Sequence, residues 1–173
     1  MKRYRAAHFV LVLFFVLCGC LESEVPLSSS DQSIIDPRLI GRWELIETEE
    51  DEGPAGMLVL QFNDHEYYVE YYYERDDGTV EFPDTLRFRA YTTPIDGALF
   101  ANLQCIGCDE RTFIFYRYAV SEDGLLTVRA VEEELFKSAT VETSEALYAF
   151  VKENLDKEAL YDEEEGQFRK VVE

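Results

Sequence analysis

Two cysteines separated by two residues are the sharpest chemical feature of the sequence, in Cys105-Ile106-Gly107-Cys108. A redox pair needs a helix N-terminus to lower the pKa of one thiol, whereas strand-like sequence flanks this pair. A zinc site needs four ligands, and His65 alone cannot complete them. In a structural disulfide, Ile106-Gly107 forms a hairpin turn that leaves the cysteines opposite each other, about 5.5 Å apart between Cα atoms. The spacing favours this disulfide, with the redox and zinc interpretations left open.

Tyrosines are the second unusual feature. Tyr67, Tyr71 and Tyr73 share one face of a predicted strand, and Tyr68 and Tyr72 lie on the other. Such amphipathic rings can line the wall of a site for a lipid, a peptide or a sugar face. The alternative is that tyrosine forms strands well and is comfortable when half-buried. The ligand-binding candidates are Tyr67, Tyr71, Tyr73, Phe100, Tyr116 and Tyr118.

The other residue types with catalytic potential give no pattern typical of an enzyme. His65 lies in a predicted turn without the Gly-x-Ser-x-Gly elbow of a nucleophilic serine. The acidic runs 47–52, 132–134 and 162–165 do not follow an EF-hand loop and are typical of a solvated face. We therefore expect a non-enzymatic protein with no catalytic residues, no metal and no cofactor.

The charge balance excludes one class of partner. The 173 residues include 16 basic and 36 acidic side chains, a formal charge of −20. Nucleic-acid binding needs a basic footprint that displaces phosphate counterions. We therefore expect no DNA or RNA partner. The length suits a single domain.

The N-terminus has the composition of a targeting segment. Lys2, Arg3 and Arg5 precede an apolar run of about nine residues, half of the roughly 20 that a membrane-spanning helix needs. The run ends in Leu17-Cys18-Gly19-Cys20, which resembles the lipobox of bacterial lipoproteins. The resemblance implies a signal peptide over residues 1–19 and acyl chains, palmitate among them, on Cys20. An ordinary secretory signal or an N-terminal anchor helix is the alternative.

The same resemblance implies a location. The residue after Cys20 is Leu21 rather than the aspartate that tends to retain such proteins at the inner membrane. We expect an exported protein on the outer membrane, facing the periplasm, or on the outer face of a single cell membrane. Residues 20–37 contain three consecutive serines and no periodicity, which predicts a flexible lipidated tether. Loss of residues 1–19 would leave 13 basic and 36 acidic side chains, a formal charge of −23.

Residues 38–173 are expected to form one β-rich domain. Alternating apolar residues, interrupted by turn residues such as Asp76-Asp77-Gly78, predict an antiparallel sheet. Thr143 or Ser144 can cap one amphipathic helix before the last strand. Because closure removes exposed sheet edges, we predict a small barrel of about eight strands. The predicted strands are 39–48, 57–62, 67–73, 85–91, 98–104, 112–120, 125–131 and 167–172, with a turn at 94–97.

This order of elements resembles the lipocalin-like (calycin) barrels. Those proteins carry Gly-x-Trp on the first strand, matched here by Gly41 and Trp43. The resemblance implies that Trp43 plugs one end of the barrel and that a late-strand arginine packs on it. Arg169 is the candidate for that arginine, with Arg129 as the second choice.

Two functions remain open at this point. The first is a tethered, membrane-anchored barrel that holds a small apolar or amphipathic ligand in its mouth. The second is a structural or interaction lipoprotein with a filled core, whose acidic surface contacts another cell-envelope protein. A cavity between the strand ends favours the first function, and a solidly packed core favours the second.

Overall fold

The computed structural model describes residues 21–46, 55–75, 77–139 and 141–171. Within them, nine strands and one α-helix follow one another along the chain. The strands are β1 (Gly41–Leu45), β2 (Gly56–Gln61), β3 (Tyr67–Glu74), β4 (Val80–Glu81), β5 (Arg87–Ile95), β6 (Ala98–Cys105), β7 (Phe113–Val120), β8 (Leu125–Val131) and β9 (Tyr161–Lys170). The helix α1 spans Ser144–Glu153. Short 3-10 helices lie at Ser30–Gln32, Asp84–Leu86, Glu134–Ser138 and Glu158–Leu160.

Eight of these strands close into an antiparallel barrel. The order around it is β1-β2-β3-β5-β6-β7-β8-β9, and β9 pairs with β1 to complete the circle. Strand β4 pairs only with the last residues of β3. Neighbours in the barrel are also neighbours among these strands in sequence. Most connections are therefore short, but the connection from β8 to β9, residues 132–160, is long and contains α1. The predicted barrel of about eight strands, with one helix before the last, is confirmed.

The antiparallel order gives the barrel two distinct ends. At one end, which we call the upper end, β1, β3, β6 and β8 finish and β2, β5, β7 and β9 begin. At the other, which we call the lower end, the chain enters β1 and leaves β9. Residues 47–48 of the predicted first strand and Asp76 of the predicted hairpin turn lie outside the described residues.

Two predicted boundaries differ from the structure near Pro94. Strand β5 continues through Pro94 to Ile95, and the turn is confined to Asp96 and Gly97, whose φ angles are 47° and 88°. Strand β3 pairs with β5 only as far as Ala90. Pro94 therefore lies where β5 has no β3 partner, and its missing N–H breaks no ladder on that side. The last strand also starts earlier than predicted, at Tyr161, because the acidic run 162–165 forms its solvent-exposed part.

Apolar residues form two separate cores, one on each side of the barrel wall. The barrel core fills the interior and includes Trp43, Met57, Val59, Val69, Leu103, Leu126 and Phe168. The outer core lies between the outer wall, α1 and the segment that precedes β1, and includes Leu27, Ile95, Phe100, Phe115, Leu147, Val151 and Leu160. In α1, Leu147 and Val151 are one turn apart and both fully buried, which explains the apolar stripe of that helix.

Residues 21–37 belong to this folded unit, which differs from the flexible tether that their composition predicts. Leu27 is only 2% exposed, and its N–H donates to Oδ1 of the buried Asn102 at 2.8 Å. Further along, the Ser33 hydroxyl accepts from the N–H of Thr92 at 3.0 Å. The segment crosses the outer wall from β8 to β5, and the hydroxyls of Ser28 and Ser33 form hydrogen bonds with Thr93 and Thr92 of β5.

Candidate functional site

The lower end of the barrel is closed by Trp43 and the turn that precedes β1. The indole of Trp43 is completely buried, and its N–H donates to the carbonyl of Leu39 at 2.8 Å. Leu39 is itself buried in the barrel core. Trp43 fills the lower end of the barrel interior, and its hydrogen bond to Leu39 holds the main chain of residues 36–40 across the strand ends.

The cation that covers Trp43 is Lys170, and the prediction of Arg169 for this position is wrong. The Lys170 ammonium lies 5.4 Å from the ring centroid of Trp43. Because successive residues of a strand point to opposite faces, Arg169 faces away from the barrel core, and it is exposed. Arg129, the second choice, instead lies 5.1 Å from the ring centroid of Tyr161 on the outer wall.

Gly41 allows this close packing of Lys170. Its φ of +140° lies in the region that favours glycine. A Cβ added there would lie 2.9 Å from Cε of Lys170. The Gly-x-Trp pair thus joins the first strand to the last at the lower end.

Two of the predicted ligand-binding tyrosines are built into the closed half of the barrel. The hydroxyl of Tyr67 accepts from the N–H of Asp36 at 2.6 Å, and that of Tyr118 lies 2.8 Å from Oγ1 of Thr92. Both rings are buried. Burial raises the pKa of Tyr67 and raises that of Tyr118 to about 12. These two side chains stabilise the lower half and are not open to a ligand.

Phe100 is not in the barrel interior, so its prediction as a lining residue is wrong. It is fully buried in the outer core. Along β6, the barrel core takes Leu99, Ala101 and Leu103, which leaves Phe100 and Asn102 on the outer side. The N-terminal segment and α1 cover that side. The alternation of residues along a single strand cannot predict such a cover.

The upper half of the interior carries aromatic rings that remain partly exposed. Tyr71 and Tyr116, both predicted lining residues, pack against the barrel core and keep part of their surface open to solvent. Tyr71 meets Phe88 edge to face, with ring centroids 6.0 Å apart. Tyr73, also predicted, is partly exposed but lies beyond the residues of β3 that pair with β2 and β5, where β3 pairs only with β4. We call the inward-facing residues Leu45, Tyr71, Phe88, Tyr116 and Val128 the upper lining.

Three members of the upper lining were missing from the predicted site, although the sequence carried a signal for one of them. Phe88 alternates with Leu86 and Ala90, which places it on the inner face of its strand. Leu45 and Val128 lie on β1 and β8, far from the tyrosine-rich strand in sequence. Their proximity depends on barrel closure.

The outer wall carries two shallow clefts beside the N-terminal segment. The larger, about 480 Å³, lies between this segment and α1 and is lined by Leu27, Gln32, Glu145 and Tyr148 among others. The smaller, about 220 Å³, is lined by Ser30, Glu66, Arg89 and Tyr91 among others. Neither brings together groups that resemble a reaction centre. They are the gaps that remain where the segment crosses the wall.

Cys105 and Cys108 form a disulfide at the upper end, with 5.7 Å between their Cα atoms. The hairpin is wider than the predicted two-residue turn, because β7 begins only at Phe113. Cys108 therefore lies in the connection and does not face Cys105 across a ladder. Gly107 has a φ of +91°, which suits the tight four-residue loop that the bond closes.

The other residues that the sequence suggested for chemistry, His65 and the acidic runs, do not come together in one site among the described residues. His65 is exposed, and its Nδ1 lies 2.8 Å from the carbonyl of Ser33. Among the described residues, no group of three His, Cys, Asp or Glu side chains is placed to hold a metal ion. In the same part of the chain, no helix combines the length and the apolar character required to cross a bilayer.

Comparisons with known proteins found no match among family models, curated proteins or solved structures.

Proposed function

We propose that this protein is an exported lipoprotein, anchored through acyl chains on Cys20, whose barrel binds a small apolar or amphipathic ligand at its upper end. One observation carries the binding part. The lower end is closed by buried Trp43, whereas the inward-facing side chains of the upper lining keep exposed surface. A barrel of eight strands is wide enough either to be filled by side chains or to hold one small ligand, and the partly exposed rings at the upper end support the second case.

The character of the upper lining indicates the ligand class. Phe88, Leu45 and Val128 offer apolar surface, and Tyr71 and Tyr116 add rings with a polar tip. Exposed apolar surface inside a barrel gains free energy when a ligand excludes water from it, at about 25 cal/mol per Å². An aliphatic or aromatic ligand with a small polar head fits this pattern.

The anchor rests on the sequence of residues 17–20, which lies outside the described residues. Replacement of Cys20 by Ser should abolish acylation and leave the protein unprocessed or soluble. The measurement is membrane fractionation together with intact mass. A processed Cys20→Ser product that stays in the membrane fraction, or a wild type whose intact mass carries no acyl chain, would contradict the lipid anchor.

A matched pair of variants tests the ligand site. Phe88→Glu places a charge in the upper lining, whereas Phe62→Glu places the same charge at a phenylalanine that is 55% exposed outside the barrel. We expect the neutral dye N-phenyl-1-naphthylamine to bind the wild type and Phe62→Glu with equal affinity, and to bind Phe88→Glu weakly or not at all. Circular dichroism checks that both variants are folded.

The alternative function makes the opposite prediction. An interaction lipoprotein with a filled core would bind no dye in the wild type, and native mass spectrometry would detect no co-purified small molecule. Equal dye binding by both variants would place the dye outside the barrel and would also contradict the proposed site.

A further inference from the structure

The chain is held to the barrel wall immediately after Cys20. The N–H of Leu21 donates to the carbonyl of Val131 at 2.8 Å, and the Leu21 side chain is 6% exposed in the outer core. Two residues later, Ser23 and Phe113 exchange a pair of main-chain hydrogen bonds of 3.0 and 2.7 Å. These contacts fix the chain to the barrel wall from Leu21 onward.

The attachment lies at the upper end. Val131 is the last residue of β8 and Phe113 is the first residue of β7, and both strands have these termini at the upper end. Consecutive Cα atoms are about 3.8 Å apart across a trans peptide, so an anchor on the residue before Leu21 would start close to this end. The lower end is further away by the length of a strand of eight residues, about 26 Å before tilt.

We propose that the upper end of the barrel lies against the lipid surface, so that the upper lining faces the membrane. This inference rests on the proposed acylation of Cys20 and deepens the proposed function. A flexible tether of seventeen residues would let the domain move about 23 Å from its anchor. The packed segment removes that freedom and selects one orientation.

The charges at the upper end indicate which lipid suits this arrangement. Glu132 follows β8 directly and acidic residues 162–165 lie at the start of β9, against two arginines at the same end, Arg87 at the start of β5 and Arg111 in the β6–β7 connection. Like charges disfavour an anionic lipid surface, and salt screens them beyond about 10 Å at 0.1 M. A zwitterionic lipid therefore fits this end better than an anionic one.

Tryptophan fluorescence can measure the orientation, since Trp43 is the only tryptophan of the chain. Two exposed isoleucines make a matched pair for a second tryptophan. Ile106 lies at the upper end beside Cys105, and Ile34 lies at the lower end beside Ser33, which contacts His65 of the β2–β3 connection. The full acylated chain would carry Ile106→Trp or Ile34→Trp in phosphatidylcholine vesicles with brominated acyl chains. Trp43 contributes the same background to both variants.

We expect brominated lipid to quench Ile106→Trp strongly and to leave Ile34→Trp close to its value in unbrominated vesicles. Arg111→Trp, on the same upper connection, serves if Ile106→Trp does not fold. Equal quenching of the two positions, or stronger quenching at Ile34→Trp, would overturn the orientation while the anchor stands. Failure of the protein to float with the vesicles would overturn the anchor and the orientation together. Quenching that persists equally after Cys20→Ser would show adsorption without an anchor and would also overturn the proposal.

Discussion

The ammonium group of Lys170 lies 5.4 Å from the ring centroid of Trp43 and donates a hydrogen bond of 2.7 Å to the carbonyl of Arg38. One side chain on the last strand thus contacts both the plug of the barrel and the turn that leads into the first strand. In register, Trp43 and Lys170 are also direct partners in the β1–β9 ladder. This contact is where the barrel closes.

Lys170→Met should therefore lower the free energy of unfolding by about 1–2 kcal/mol, because it removes a cation–π contact and a charged hydrogen bond. Arg169→Met is the matched control, since the neighbouring side chain is exposed and lies away from Trp43. Urea unfolding followed by Trp43 fluorescence measures both. A larger loss of unfolding free energy for Arg169→Met than for Lys170→Met would show that Arg169, and not Lys170, packs on Trp43.

The packing of residues 21–37 against the barrel predicts that two substitutions within this segment differ in their effect on stability. Leu27→Ala should cost about 2–5 kcal/mol, the usual result when a buried leucine is truncated. Ile34→Ala, only seven residues later, should have almost no effect because Ile34 is 84% exposed. Thermal unfolding of the two variants gives the comparison. If residues 21–37 were a free tether, both variants would unfold with the wild type.

The disulfide should contribute about 2 kcal/mol, because a four-residue loop removes little entropy from the unfolded chain. We expect a reductant to lower the stability of the wild type by this amount. The double variant Cys105→Ser with Cys108→Ser should be less stable at the outset and insensitive to reductant. Alkylation of the folded protein, with and without prior reduction, shows whether the thiols are free. Full alkylation without reductant would contradict the bond.

Glu66 predicts an acid-sensitive contribution to stability. Burial by itself would raise the pKa of this carboxyl, but hydrogen bonds from Arg89 and Asn63 outweigh it and lower the pKa below its usual value. A lowered folded-state pKa means that the stabilisation is complete above the unfolded-state pKa, about 4.3, and is lost as the pH falls through the folded-state pKa.

Glu66→Gln should therefore be less stable than the wild type at pH 7 and should lose less stability on acidification. The exposed Glu163→Gln serves as the control for removal of one negative charge. Urea midpoints between pH 7 and pH 3 measure the effect. Parallel pH profiles for the wild type and Glu66→Gln would contradict the lowered pKa assigned to Glu66.

Much of the fold was accessible from local pattern. Alternation along 67–73 and 112–120 placed both strands within a residue or so of β3 and β7, and Thr143 caps α1 as predicted, its Oγ1 accepting from the N–H of Ala146 at 3.2 Å. Strand face and helix capping depend on neighbours in sequence, so they can be read from it. The limits of β5 could not be predicted in this way, since Pro94 is tolerated in β5 only because β3 begins at Tyr67, opposite Ala90.

Some features of the candidate site could likewise be predicted from the sequence, and others depend on the tertiary structure. Alternation along the amino-acid sequence placed Tyr71 and Tyr73 on one face of their strand, because alternation is a local property, and the resemblance to the lipocalin-like barrels implied that Trp43 is a plug. Only the tertiary structure decided that Phe100 lies under the N-terminal segment, that Tyr67 and Tyr118 belong to the closed half, and that Lys170 covers Trp43. These outcomes depend on which strand meets which across the barrel. Burial of an outer face needs a second element to cover it, and the serine-rich composition of residues 21–37 gave no sign that they would do so.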